Sequence, residues 1–180
     1  MTRKLINEFG IILGIVVSWY LLYQLNGAIF HYSDTNDYVA WVFLPAILRL
    51  VSVLLFGVTG VIGLFIGSFI TSLGLTDSLL NSVLISLASS LSPMIAVSVC
   101  KQVMKIPTDL SNLSAKHLLV MTFIAAVISS GIHSLYFWFA NNPIYFTQMF
   151  IGDLLGSILT LYILRYWLNR LILAKNNDLD

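Results

Sequence analysis

Six long apolar runs divide the sequence, each separated from the next by a short polar or glycine-containing stretch. A helix needs about 20 mostly apolar residues to cross the hydrocarbon core of a bilayer. The runs therefore predict an all-α, polytopic membrane helical bundle with six transmembrane helices. The predicted helices are Phe9–Leu25, Val39–Phe56, Val58–Leu75, Leu79–Cys100, His117–Ala140 and Thr147–Leu168.

The scarcity of charge favours a surface that faces lipid. Charged residues make up 9% of the 180 residues and hydrophobic residues 58%, whereas a soluble domain carries about 25% charged residues. The 9 Lys and Arg residues are too few and too scattered for a phosphate-binding surface, so we expect no nucleic-acid partner. The single cysteine, Cys100, excludes an internal disulfide and a cysteine-based metal cluster.

Basic residues at or beyond the ends of the apolar runs predict the orientation of the chain. Six helices with the N-terminus inside would place all of these residues in the cytoplasm, as the positive-inside rule requires. We therefore predict that residues 1–180 form a single integral domain of a bacterial inner membrane, with both termini in the cytoplasm. The basic residues that support this orientation are Arg3, Lys4, Lys101, Lys105, Lys116, Arg165, Arg170 and Lys175.

The connection between the second and third runs allows two interpretations. Phe56-Gly57-Val58-Thr59-Gly60 is tight and uncharged. It is either a hairpin between two short spans or part of a re-entrant, broken segment, which a membrane tolerates only where protein buries it. The charge pattern of the remaining helices needs two crossings here and so favours the hairpin.

Three ionisable residues, Arg49, His133 and Asp153, lie inside predicted helices, where charge is costly and normally faces the bundle interior. At 1.5 Å of rise per residue, all three lie about 9–12 Å below the outer surface. This shared depth predicts a ligand pocket or ion path in the outer half of the bundle. Arg49 offers a donor fork suited to carboxylate or phosphate, Asp153 is its partner at rest, and His133 adds an imidazole. The alternative is an ion pair that only neutralises two buried charges.

Proline and glycine are predicted to shape the region around these residues. Pro45 lies one turn before Arg49 and should kink or open the second helix, which would free backbone carbonyls near the pocket. Gly67 and Gly156 each end a GxxxG spacing, which lets helices approach closely, and Gly57 lies in the tight turn.

No motif in the sequence predicts catalysis. The chain has no HExxH, no Walker loop and no GxSxG, and its histidines, His31, His117 and His133, are too far apart for a local metal motif. We therefore expect a protein that is not an enzyme, with no catalytic residue and no metal site. The residues do not identify a cofactor.

Two stretches resemble a known family of membrane modules. Trp41-Val-Phe-Leu-Pro45 leads into Leu54-Leu-Phe-Gly57 and Gly60-Val-Ile-Gly63-Leu-Phe-Ile-Gly67, and Phe150-Ile-Gly-Asp153-Leu-Leu-Gly156 follows later. These stretches are similar to the Pro-containing helix, LLFG turn, Gly-spaced helix and late GD-x-x-G helix of the first family of bacterial membrane-associated sensor domains, the MASE type. The matched positions are Pro45, Gly57, Gly67, Asp153 and Gly156.

The resemblance implies a sensory module that is usually joined to a kinase or a cyclic-di-GMP domain. Because the 180 residues are fewer than such a domain usually has, we expect a shortened, stand-alone sensory or ligand-binding module that has no output module of its own and works through a partner chain. The expected partners are the lipid bilayer, a small-molecule ligand, and a protein that contacts the cytoplasmic loop Lys101–Lys116 or the C-terminal tail. Two alternatives stay open. One is the substrate-binding subunit of an energy-coupling-factor-like transporter, by architectural analogy; the other is a structural subunit of a larger membrane complex.

Overall fold

The computed structural model describes residues 2–30, 40–107, 110–139 and 146–177, and this part of the chain is helical with no strand. Four of its helices are long and apolar enough to cross a membrane, which is compatible with a multi-pass membrane protein. The other two, α2 and α3, are apolar but contain only 12 and 15 residues. The six helices are α1 (Thr2–Phe30), α2 (Pro45–Phe56), α3 (Val58–Ser72), α4 (Leu79–Val103), α5 (Ala115–Phe139) and α6 (Phe146–Asn177).

The second predicted helix differs from the observed one at its start. Val39 lies outside the described residues, residues 40–44 are not helical, and α2 begins at Pro45. The prediction of a continuous helix from Val39 to Phe56 was therefore wrong, and so was the predicted kink at Pro45. In the first turn of a helix proline has no hydrogen bond to lose, and its fixed φ suits the helix, so Pro45 starts α2 instead of bending it.

Helix α2 lies at the centre of the bundle and contacts all five other helices. These form an arc around it in the order α1, α3, α4, α5, α6, each contacting the next. Among the described residues α1 and α6 do not contact each other. The non-helical segment of residues 40–44, which we call the lead-in, bridges the gap between them.

The lead-in is held by hydrogen bonds to α1 on one side and α6 on the other. The Leu44 amide donates to Asn26 Oδ1 of α1 at 2.8 Å, and the Phe43 amide donates to the Gly152 carbonyl of α6 at 3.0 Å. Irregular backbone is tolerated at membrane depth only where protein satisfies its polar groups. The neighbouring helices meet that requirement for these two amides.

Two glycines of α6 allow the lead-in to lie this close. A Cβ atom at Gly152 would overlap the Ala40 carbonyl oxygen. One at Gly156 would overlap the Phe43 carbonyl group and lie 2.8 Å from the Phe43 nitrogen. The GxxxG spacing of α6 therefore accommodates a stretch of backbone and not a neighbouring helix.

A tight helical hairpin joins α2 to α3. The chain reverses at Gly57, whose φ of 55° lies in the region that favours glycine. Next to the turn, a Cβ atom at Gly60 would overlap the Ser52 carbonyl group, so α3 lies directly against α2. Because α2 and α3 have 12 and 15 residues and a crossing needs about 20, two full crossings remain a prediction.

Small residues of α3 make its contact with α1. Gly63 faces Ile15, and Gly67 faces Trp19, whose Cβ would lie 3.0 Å from a Cβ added to Gly67. The Trp19 indole N–H donates to Thr71 Oγ1 at 3.1 Å. The first GxxxG spacing thus serves close helix packing within one chain.

The described basic residues outside α2 collect at one end of the bundle. Contacts between the helices give their directions: α3 runs parallel to α1, because its glycines face Ile15 and then Trp19, and antiparallel to α2 and α4, its neighbours in the sequence. The contact of α4 with the later part of α5 makes these two antiparallel, and α6 runs in the direction of the lead-in, whose Ala40 and Phe43 face successive glycines of α6. The N-termini of α1, α3 and α5 therefore lie at the same end as the C-termini of α2, α4 and α6. We call this the basic end and the opposite one the distal end. The basic end carries Arg3, Lys4, Lys101, Lys105, Lys116 and Arg165.

Candidate functional site

The structure brings the three predicted ionisable residues into one region of the interior. Arg49 of α2, His133 of α5 and Asp153 of α6 are 6%, 5% and 8% exposed. Arg49 and Asp153 follow soon after the starts of their helices, and His133 lies shortly before the end of α5. Arg49 contacts Asp153, and Ser129 contacts both Arg49 and His133, so the three side chains lie together in the interior. Their shared depth below the outer membrane surface stays a prediction.

The Arg49 guanidinium is fixed by groups from three parts of the fold. Its Nη2 donates directly to Asp153 Oδ1 in a buried ion pair. Its Nη1 donates to Ser129 Oγ of α5 at 2.8 Å, and its Cζ lies 5.0 Å from the centre of the Phe43 ring. Charge-assisted hydrogen bonds of this kind are about twice as strong as neutral ones. Together these contacts hold the planar guanidinium in one orientation.

The lead-in determines that Arg49 meets Asp153. Pro45 starts α2 immediately after the lead-in, and Arg49 follows one turn later on the buried face. The Phe43 amide is bound to the carbonyl of Gly152, the residue next to Asp153. This hydrogen bond therefore sets the distance between α2 and α6 at the level of the ion pair.

His133 joins the site indirectly, through Ser129. Its Nδ1 lies 2.9 Å from the Ser129 carbonyl oxygen, and a carbonyl can only accept. In the neutral ring Nδ1 therefore carries the proton, and Nε2 accepts from Ser89 Oγ of α4 at 3.2 Å. Ser129 thus links His133 to Arg49, because its carbonyl accepts from His133 and its hydroxyl oxygen accepts from Arg49. Sequence reasoning missed Ser129, although it lies four residues before His133 on the same helix face.

A small cavity adjoins the ion pair. The space open to the centre of a water-sized sphere is about 20 Å³, which is room for about one water molecule. Pockets for drug-sized ligands have about 300–1,000 Å³, so the site is closed to such molecules in this conformation. Besides the ion pair and apolar side chains, the wall includes Pro93, Thr122, Ser129 and Ser157.

The residues predicted to shape the pocket have different positions. Gly57 lies in the hairpin turn toward the basic end, and Gly67 faces Trp19 between α1 and α3, so neither belongs to the cavity wall. Both shape helix contacts instead, which corrects their predicted role. Pro45 is buried one turn before Arg49 but also lies outside the wall. Gly156 affects the pocket only indirectly, because its lack of a side chain leaves room for the lead-in.

The predicted partner surface is only partly described. The structure places Lys101 in the last turn of α4 and Lys116 in the first turn of α5, so the predicted loop is shorter than Lys101–Lys116. Residues 108–109 lie outside the described part, and buried Ile106 anchors the connection. His31 lies outside the described residues, and so does the C-terminus beyond Asn177. Within the described ranges no group of three or more His, Cys, Asp or Glu side chains is placed to hold a metal ion.

No family model matches the chain, and no curated protein or solved structure matches it at a significant level. The resemblance to MASE-type sensor domains therefore stays a prediction from the quoted residues. The function has to be argued from the geometry of the site.

Proposed function

We propose that this protein is a membrane module that binds a small anionic solute at Arg49 and works through a partner chain. In this proposal six segments cross the bacterial inner membrane, and the basic end lies in the cytoplasm. The observation that carries it is the buried Arg49–Asp153 pair beside a cavity. Ionisable side chains inside a membrane are costly and usually mark sites of binding or transport.

The collection of basic residues at one end supports this orientation. Cytoplasmic ends of membrane helices are enriched in Lys and Arg, and the basic end carries such residues on α1, α4, α5 and α6. The candidate site then lies in the half of the bundle nearer the external side. A solute from outside the cell would reach Arg49 without crossing the whole bilayer.

Binding would exchange one partner of Arg49 for another. A carboxylate or phosphate group of the solute takes the place of Asp153 on the guanidinium fork, while Ser129 and Phe43 hold the fork in position. Asp153 then loses its counter-charge, and a buried unpaired carboxylate is costly enough that it takes up a proton. Solute binding and proton uptake are thereby coupled at one pair of side chains.

The lead-in is the element that would open the closed cavity. It is irregular backbone that bridges α1 and α6, and its movement would release the Phe43–Gly152 hydrogen bond beside the ion pair. Because α2 contacts all five other helices, a shift of α2 reaches the basic end, where we place the partner surface at Lys101–Lys116.

The first test is mass spectrometry of small molecules released from gently purified protein, wild type beside Arg49→Ala. We expect an anionic compound in the wild type and its loss from Arg49→Ala. Arg49→Lys is the matched control, since it keeps the charge, removes the fork and should bind weakly. Full retention of the compound by Arg49→Ala would refute binding at Arg49.

A structural subunit of a larger complex is the second candidate, favoured by the water-sized cavity and the already paired charges. The double variant Arg49→Leu/Asp153→Leu distinguishes a structural subunit from a solute-binding module. An ion pair that only neutralises itself can be replaced by apolar residues at little cost, whereas a binding site cannot. A solute-binding transporter subunit shares the proposed site and is distinguished by co-purification with an ATP-driven energising complex.

A further inference from the structure

Buried serines are concentrated in the first half of α4 and the second half of α5. On α4, Ser82, Ser86 and Ser89 follow one another at helical spacing and are 0%, 0% and 6% exposed. On α5, Ser130 and Ser134 flank His133 on one face and are 0% and 9% exposed. Residues three or four apart on a helix share a face. Ser89 contacts His133 of α5, and the Ser82 carbonyl and Ser86 hydroxyl contact Ser72 of α3.

Several of these hydroxyls have no partner in the described protein. The Oγ atoms of Ser82, Ser130 and Ser134 are buried without a hydrogen bond. An unpaired buried hydroxyl costs about 1–3 kcal/mol, and native proteins normally satisfy such groups with internal water. Ser130 and Ser134 lie within one helical turn of His133, so their unpaired hydroxyls point to water beside its ring.

The paired groups of this region already form a nearly continuous polar path. At its distal start, Ser72 at the end of α3 lies 3.3 Å from Ser86 Oγ. Ser89 then contacts His133, and His133 contacts the Ser129 carbonyl. From there the Ser129 hydroxyl leads to Arg49 and its partner Asp153.

We infer that water reaches His133 from the distal end between α4 and α5 and exchanges protons with its ring, beside the Arg49–Asp153 pair. We call the residues Ser72, Ser82, Ser86, Ser89, Ser130, His133 and Ser134 the polar seam. The inference does not depend on a solute at Arg49. It concerns water and protons, because none of the seven residues of the polar seam is a carboxylate that could balance a metal cation.

The hydrogen bonds of His133 determine how a proton moves. A hydronium ion in the seam gives its proton to Nε2, which leaves water and an imidazolium, and Ser89 Oγ turns from donor to acceptor. Nδ1–H stays on the Ser129 carbonyl, so the proton leaves again from Nε2 to water. The charged groups that face the ring through Ser129 are Arg49 of α2 and Asp153 of α6, while α4 presents the neutral Ser89.

The first test measures access to the seam with introduced thiols. In a Cys100→Ala background, Ser130→Cys or Ser134→Cys is exposed to a small methanethiosulfonate reagent from each face of the membrane. Wild-type protein supplies the control, because its native Cys100 is fully buried in the apolar core. We expect both introduced thiols to react about tenfold faster than Cys100 or more, and faster from the distal face, since reaction needs a hydrated thiolate.

The second test needs no substitution in the seam. Solid-state nitrogen NMR of histidine-labelled wild type in bilayers measures magnetisation transfer from water to the His133 ring, which a His133→Gln sample assigns. Magnetisation transfer from water to the ring supports internal water. If no transfer is detected, the inference is wrong, whatever the reactivity of the introduced thiols. Transfer combined with thiols no faster than Cys100 would overturn access from the distal end.

Discussion

Alanine at Gly156 should destabilise the protein through the lead-in and not through the α6 helix itself. An added Cβ would lie 2.8 Å from the Phe43 nitrogen and would overlap the Phe43 carbonyl. Ordinary contact begins at 3.4 Å, so the lead-in must retreat by at least 0.6 Å. A retreat of that size takes the 3.0 Å bond from Phe43 to Gly152 to about 3.6 Å, which is no longer a hydrogen bond.

The expected magnitude combines three effects. Forcing an extra carbon into packed structure costs about 1–3 kcal/mol, and a buried amide left unpaired costs about 1–3 kcal/mol more. Alanine offsets about 1 kcal/mol of this, because it favours the helix over glycine. We therefore expect Gly156→Ala to lower the free energy of unfolding by about 1–5 kcal/mol, and Gly152→Ala to behave alike because its Cβ would overlap the Ala40 carbonyl.

Gly131→Ala is the matched control for this measurement. Gly131 lies inside α5 with no atom within 4 Å of an added Cβ, so alanine there should be neutral or stabilising by up to about 1 kcal/mol. Denaturant titration in detergent micelles, followed by tryptophan fluorescence, gives the free energy of unfolding of each variant. If Gly156→Ala and Gly152→Ala proved as stable as Gly131→Ala, the close contact of α6 with the lead-in would be refuted.

Two further substitutions are followed by the same titration. Asp153→Leu leaves the Arg49 guanidinium buried without its counter-charge and should lower the free energy of unfolding by about 3–5 kcal/mol. The double variant Arg49→Leu/Asp153→Leu should regain most of that loss. A double variant no more stable than Asp153→Leu would argue against direct pairing. Trp19→Phe removes the 3.1 Å hydrogen bond to Thr71 and should cost about 1 kcal/mol. Adding Thr71→Val to Trp19→Phe should then lower the free energy of unfolding little further. If the losses of the two single variants added fully, the hydrogen bond between Trp19 and Thr71 would be contradicted.

Hydropathy predicted most of the helices because their apolar runs are long and their ends carry polar or basic residues. It failed at the start of α2, where residues 40–44 are as apolar as the helix that follows. A buried extended segment and a buried helix have the same composition, so hydropathy does not separate them. Pro45 carried a signal that favoured a helix start, since proline is common in the first turn.

The pairing of Arg49 with Asp153 followed from depth, because the helical rise converts a position in the sequence into a height in the bundle. The role of Ser129 did not follow, since serine is common on interior faces of membrane helices and its partner here lies 80 residues away. The unpaired hydroxyls of Ser130 and Ser134 depend on how α5 packs against its neighbours. That orientation is a property of the assembled bundle and has no signature along the chain.

The central position of α2 has a consequence for the order in which the protein is made. Asn26 has already been synthesised when the lead-in appears, but Asp153 follows Arg49 by 104 residues. Until α6 emerges from the ribosome, neither Gly152 nor Asp153 exists, so the Phe43 amide and the Arg49 guanidinium lack these partners. A short helix with an unpaired charge is a poor candidate for insertion into lipid by itself. Helix α2 therefore reaches its final place only after α6 has been made, and the ion pair forms only then.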